Sequence, residues 1–361
     1  MKCRSLGAHA LRRHSGIARS LATGATARSS ETEDVARRVQ AFAPFRRATL
    51  AAKDESILEL FSVASQIKVD SLLKELNLPD LCAYCRWLGA CGFLADVKLL
   101  ESAAEQLSKA LQTDPSSQNL EAAASLALAA CEAGEETSIG AAVLDGFNSI
   151  GKPIEQISGN SAAAMALAAA VSKGADSALL HALLLRCSVC EADLDHLALG
   201  DLRLARALTP EIELDGPAMG FFKLLCCDVQ LDDPRGHLSP TEGTFSTNFT
   251  TFERETSEAL NAAEVPHSRG LLVEGGFFPL VNNENRWLFC AEDTAARAVY
   301  INKKDQRRSW QRWKCQAAAN AGWSVFCVSH TQWPTDLENR VVHIREIRNA
   351  APTFAPASAS P

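Results

Sequence analysis

The amino-acid sequence predicts a mainly α fold: a helical-repeat, α-solenoid-like array followed by a small α/β domain. Three observations predict it. Residues 54–228 are rich in Ala and Leu, poor in aromatic side chains and almost free of β-branched runs, which favours helix over strand. Similar segments recur about every forty residues within that stretch. Beyond residue 285 the pattern shifts to short apolar runs separated by a basic segment and one helix. At 361 residues, 47% hydrophobic and 22% charged, the chain is long enough for more than one domain with a sizeable core, and its composition excludes a disordered, collagenous or disulfide-miniprotein class.

Residues 1–30 carry Lys2, Arg4, Arg12, Arg13, Arg19 and Arg28, five serines, many alanines and no acid. That is the composition of a mitochondrial transit peptide, and Leu6, Ala10, Leu11 and Ile17 among the arginines suit a short amphipathic helix. The Arg19-Ser20-Leu21-Ala22 segment resembles a processing site. No apolar run of secretory-signal length follows, and nowhere do eighteen apolar residues run uninterrupted. A mitochondrial matrix location without membrane insertion is therefore expected.

The array is expected over residues 50–230. Ile57, Leu58, Phe61, Ala64 and Ile67 form one helical stripe, and Asp80 is a candidate N-cap after Asn77-Leu78-Pro79. Helices starting at Asp80, Asn119 and Asn160 lie 39 and 41 residues apart, each rich in Ala and closing on Gly. Each is followed by a second helix, over residues 97–111, 138–150 and 177–189, and a less regular fourth unit spans Asp193 to Leu208. A helix pair of this size cannot bury its apolar face alone, so stacking is the natural solution.

Residues 231–254, with Pro, Gly, Ser and Thr, read as linker. Residues 255–350 then hold strands at Arg286–Ala291 and Ala298–Ile301, a helix over Ser309–Gly322, a strand at Trp323–Ser329 and a turn and helix opened by Trp333. Residues 351–361, rich in Ala and Pro, are expected to be a disordered tail.

The formal charge of −7 is unevenly spread. Residues 1–50 carry ten Lys/Arg against three Asp/Glu, residues 51–250 thirteen against twenty-eight, and residues 251–361 thirteen against twelve. Lys303, Lys304, Arg307, Arg308, Arg312 and Lys314 fall within twelve residues whose only acid is Asp305. With Trp310 and Trp313 interleaved, this cluster combines phosphate attraction with base stacking and is the candidate RNA-binding site. Trp313 and Trp323 also fit a core role.

Lys314 on its helix, then Gly322-Trp323, the strand Val325 to Val328 and Trp333 resemble the closing half of a RAP domain. Glu292-Asp293, after the strand Trp287 to Ala291, resembles the acidic element of that family, although its Gly is absent. The array upstream resembles the repeats of octotricopeptide-type and FAST-kinase-type organellar proteins. The resemblance implies a restriction-endonuclease-like fold for residues 255–350. It also implies an organellar RNA partner, rRNA or mRNA, in RNA processing, rRNA maturation or ribosome assembly.

Two other functions fit the residues. A protein-binding scaffold or constituent of the mitochondrial ribosome would use the acidic array, net −15 over residues 51–250, to hold basic ribosomal proteins. Acids on the concave face of the array would favour that function, whereas a basic stripe there would favour direct RNA reading. A metal-dependent endoribonuclease would need Glu292 and Asp293, or one of them with Glu274 or Glu284, to converge with Lys314 or Lys303. Adjacent residues on a regular strand point to opposite faces, so catalysis is not the leading expectation.

Cys82/Cys85 and Cys187/Cys190 form two C-x-x-C pairs that could be combined into a zinc site, but both lie in helical patterns and fit buried free thiols better. No structural disulfide is expected in a matrix protein. His181 and His196 fit helix positions, and His330 lies on the loop before Trp333. Phosphate loop, dinucleotide fingerprint and nucleophile elbow are all missing from the sequence, so neither cofactor nor metal is expected.

Overall fold

Alanine and leucine side chains build the first two thirds of the structure, a computed structural model that describes residues 67–91, 93–134, 138–151, 153–172, 176–214, 216–227, 250–273, 276–292, 299–300, 303 and 306–356. The expected transit peptide, the stripe from Ile57 to Ala64, linker residues 231–249 and tail residues 357–361 lie outside the described residues. Nine α-helices are described before the linker: α1 (Val69–Glu75), α2 (Leu78–Cys91), α3 (Val97–Thr113), α4 (Ser117–Ala133), α5 (Ile139–Asn148), α6 (Gly159–Val171), α7 (Ser177–Val189), α8 (His196–Leu208) and α9 (Gly216–Cys227).

Two kinds of helix alternate. α3 is amphipathic, with Asp96 capping its start and Leu99, Leu100, Ala103, Leu107 and Leu111 buried at three- and four-residue spacing. α4 and α6 are buried almost all round, from Leu120 to Cys131 and from Ala162 to Ala169, as helices apolar on every side must be. Accordingly α4 packs against α2, α3, α5 and α6, while α6 packs against α4, α7 and α8. Small alanines let these central helices approach closely, and the leucines fill the space between them.

The series α2, α4, α6, α8 does not run straight. Arg86 on α2 donates to Asp201 on α8 at 2.8 Å, although four helices side by side at 8–10 Å spacing would set the outer two roughly 30 Å apart. The ends of the row curl toward one another.

The expected helix starts shift upstream. Asn77, rather than Asp80, caps α2, its Oδ1 accepting from the Asp80 amide at 3.0 Å, because Pro79 and Asp80 already sit in the first turn. Ser116 and Ser158 hold the N-cap positions of α4 and α6, and Ser158 Oγ accepts from the Ser161 amide at 3.3 Å. Asn119 and Asn160 lie just inside these helices and bond elsewhere: Asn119 to the Asp114 carbonyl, and Asn160 Oδ1 to the Asp195 amide.

The carboxy-terminal unit starts a few residues earlier than expected, with α10 (Thr251–Ala262) beginning inside the expected linker of residues 231–254. A full capping box holds its start: Thr250 Oγ1 accepts from the Glu253 amide and the Glu253 carboxylate accepts from the Thr250 amide. Then follow β1 (Ser268–Val273), β2 (Gly276–Asn282), β3 (Trp287–Glu292), α11 (Ser309–Asn320), β4 (Ser324–Ser329) and α12 (Leu337–Asn349). Of the expected strand at Ala298–Ile301, only Val299 and Tyr300 are described, and Val299 forms a bridge with Arg307.

The sheet order is β1-β2-β3-β4, antiparallel except for the parallel pair β3 and β4 that α11 connects. β1 and β2 were absent from the expectation because Gly270 and Pro279 obscure them. The ladder is built around both residues: its register skips the Gly270/Pro279 position, and Gly270 takes φ +72°. Along β3, Leu288 and Cys290 face α11 while Phe289 and Ala291 face α10 and α12, so one core lies on each side of the sheet.

α11 is the hinge of the whole arrangement. Cys315 and Ala318 pack on the sheet, whereas Trp313 and Ala317 belong to the core of the helical row, and Trp310 lies against that core. α11 contacts α4 and α8, and Arg308 at its start reaches the carbonyl of Gly89 on α2 at 2.9 Å. The helix thus packs against the curled row. The tail departs from expectation as well. Phe354 pairs with Val325 through two backbone hydrogen bonds of 2.9 and 3.1 Å and packs into the core under β4, so residues 351–356 lie along the sheet edge.

Candidate functional site

The residues singled out by charge gather at the end of β3 and the start of α11, where a parallel strand pair meets its crossover helix. Glu292, the last residue of β3, points to the α11 face and is 6% exposed. Arg307 holds it with two hydrogen bonds, Nε to Oε1 and Nη2 to Oε2, the second at 3.0 Å. Burial and then the neighbouring Cys327 sulfur push the Glu292 carboxyl up to about 8, with Arg307 pulling it back. The Arg307 guanidinium is pushed up by the same carboxylate against the cost of its own burial, and it lies 5.5 Å from the Phe354 ring centre.

The expected basic surface is largely internal. Arg308 is 9% exposed and committed to Gly89. Lys314 is 8% exposed, with its ammonium 4.8 Å from the Phe278 ring centre and 5.8 Å from that of Trp310. Arg312 is half-buried and donates to Ser309 Oγ at 3.2 Å. Of the six cations, Lys303 is the one the described residues show exposed, and Lys304 lies outside them. The correction has a physical basis: cations at the N-terminal end of a helix oppose its dipole, so they persist there by finding carbonyl, carboxylate or aromatic partners.

The partners belong to a buried polar seam between α11 and the helical row. Tyr300 Oη and Ser309 Oγ both donate to the carbonyl of Glu132, the latter at 2.7 Å. The Glu132 side chain packs against Gly89, where a Cβ would collide with it. Within the row itself, Arg86 and Asp201 form a second buried polar pair. No local signal in the sequence marks these residues, because Arg86 and Asp201 stand 115 positions apart and Arg308 stands 219 from Gly89.

Of the carboxylates expected for metal-dependent cleavage, the two described ones, Glu284 and Glu292, stand apart. Glu284 sits in the exposed turn before β3, so the whole strand, roughly 17 Å at 3.3 Å per residue, separates it from Glu292. Asp293 and Glu274 lie outside the described residues. Among the described residues no group of three His, Cys, Asp or Glu is placed to hold a metal ion. Cys82 and Cys85 are buried in α2, and Cys187 is buried in α7 with Cys190 at its end. Burial pushes the Cys82 thiol up to about 12, in keeping with an inert protonated sulfur.

His330 is exposed, packs edge-on to Phe252 at 5.1 Å and begins the turn that leads to Trp333. His181 lines a cleft of about 860 Å³ with Arg206, Ile212, Glu213, Met219 and Lys223 where α7, α8 and α9 meet. Arg206 there is already bonded to the carbonyls of Thr209 and Ile212. No helix of the described residues is long and apolar enough to cross a membrane.

No protein-family model matches the chain, and no curated protein is significantly similar to it.

Proposed function

We propose that this chain is an RNA-binding protein of the mitochondrial matrix that acts in organellar RNA processing, rRNA maturation or ribosome assembly, without catalysis of its own. A RAP-like, restriction-endonuclease-like unit stands on a helical-repeat array. The observation that carries the proposal is the order of parts along one folded unit: basic segment, Lys314-bearing helix, Gly322-Trp323, strand and Trp333. Gly322 turns the chain at φ +87° directly into β4, which accounts for that position in the pattern.

RNA contact belongs on the outside of the assembly. α11 packs on the core of the helical row, so that part of the row's surface is covered by the chain itself. Lys303, exposed among the described residues, and Lys304, beside it in the sequence, are the cations of the basic segment assigned to phosphate. The test is fluorescence anisotropy of the full chain with a labelled single-stranded RNA across a salt series. Replacing Lys303 and Lys304 by Ala is expected to weaken binding and to reduce the salt slope by about 1.4, at ~0.7 per lost phosphate contact. Unchanged affinity and slope would remove this site from the reading.

A second reading, a scaffold for basic ribosomal proteins, draws on a specific observation. Arg86 and Arg203 are buried in the helical row, and so are Glu132 and Asp201, so these groups cancel and, among the described residues of 51–250, the acid excess stays outside. This reading expects salt-sensitive binding of cationic ribosomal proteins that the Lys303/Lys304 double variant leaves intact.

A further inference from the structure

Three sulfurs meet between the sheet and α11. Cys290 on β3 lies 3.7 Å from Cys315 on α11, sulfur to sulfur, and both are fully buried. Cys327 is the partner of Cys290 in the parallel register of β3 and β4, half-buried, and its thiol engages both other sulfurs. Glu292, Arg307 and Lys314 are the charged neighbours of the group. Nothing in the proposed RNA contact uses these thiols.

We propose that Cys290 and Cys315 are an oxidation site, closed by a peroxide into a disulfide that ties β3 to α11. Cys290 gives up its proton, its thiolate attacks one peroxide oxygen, the O–O bond breaks, and the leaving hydroxide takes up that proton, so that Cys290 sulfenic acid and water form. Cys315 sulfur then attacks the sulfenic sulfur, the S–O bond breaks, and the hydroxyl leaves as a second water. Two thiols and one hydrogen peroxide become one disulfide and two waters, with both sulfurs oxidised and both peroxide oxygens reduced.

The geometry places each participant. The sulfurs need to close from 3.7 Å to about 2.05 Å, a change within reach of side-chain rotation and a small shift of α11. Thiol donation from Cys315 and Cys327, aided by the charge of Lys314, pulls the Cys290 thiol down, while burial pushes Cys315 up. Cys290 is therefore the attacking sulfur and Cys315 the resolving one. Residues 353–354 cover the β4 edge beside the cluster, with Thr353 Oγ1 accepting from the Cys327 amide at 3.1 Å and Phe354 packed into the same core. Because Trp313 and Ala317 of α11 also belong to the core of the helical row, a bond made here fixes the helix that joins the two halves of the molecule.

The experiment uses the full-length, reduced protein. It is pulsed with hydrogen peroxide under native conditions, its remaining thiols are alkylated in denaturant, and its peptides are mapped without reduction. The expected result is a Cys290–Cys315 cross-linked peptide, lighter by two hydrogens than its parts and lost on reduction. It should accumulate several-fold ahead of any bond between Cys82 and Cys85, which are also buried and serve as the internal reference. In Cys315→Ser, a sulfenic acid at Cys290 should be trapped by dimedone. Oxidation that spares Cys290, yields only a Cys290–Cys327 bond, or forms the Cys82–Cys85 bond equally fast overturns the proposal, and the wild-type measurement stands whether or not the variant folds.

Discussion

Glu292 and Arg308 show how a charged residue in this chain takes its role from what encloses it. The Glu292 carboxyl is pushed up to about 8, above the 4.5 of an exposed glutamate, so across that interval the folded state holds a proton that the unfolded chain has released. The stability it contributes is fully present below about pH 4.5 and is lost as pH rises through about 8. Urea midpoints at pH 5 and pH 8 should therefore fall more steeply for the wild type than for Glu292→Gln, and parallel falls would contradict this assignment. Arg308→Ala removes a charged donor from a buried carbonyl and is expected to cost about 1.5–3 kcal/mol in urea unfolding. Lys303→Ala, at an exposed position, should change stability by less than ~0.5 kcal/mol. The contrast separates cations that hold the fold from a cation left for a ligand.

At the scale of elements, the legible features were those with local causes. The helical period and the alternation of amphipathic with all-apolar helices follow from Ala and Leu spacing, and α11, Gly322 and β4 follow from the run after Ser309. α10 was also readable, because Thr250-x-x-Glu253 is a capping box, but the Ser, Thr and Gly around it read as linker. β1 and β2 were hidden by Gly270 and Pro279, which weaken a strand signal and here share one skipped position of the ladder. The tail was misjudged because composition does not show that Phe354 covers an edge strand. Phe354→Ala should uncover that edge, lower stability by about 1–3 kcal/mol from lost apolar burial and raise self-association, seen as increased light scattering on concentration. Unchanged scattering and stability would mean that the segment 351–356 leaves the edge freely.

At the scale of the molecule, the charge count misled for a reason that no window of sequence contains. Six cations in twelve residues look like a solvated face, yet the partners of Arg307 and Arg308 arrive from Glu292 and from Gly89 in the first central helix. Contacts across such separations belong to the curl of the helical row and the packing of α11 against it. The same packing makes the two halves thermodynamically dependent on each other. Trp313 and Ala317 serve the core of the row while Cys315 and Ala318 serve the sheet, so neither core is complete without this helix. Unfolding of the full chain should then be a single cooperative transition by both tryptophan fluorescence and far-ultraviolet dichroism. Trp313→Ala removes a buried indole, 4% exposed, from the shared seam and is expected to cost about 3–5 kcal/mol. Because the lost packing lies between the halves and outside the two cores of the α/β unit, the variant should also split the transition in two, with the probes no longer coincident. A single transition that merely shifts to lower temperature would mean that Trp313 stabilises the helical row alone, and that the polar seam of Arg308, Ser309 and Tyr300 suffices to couple the halves.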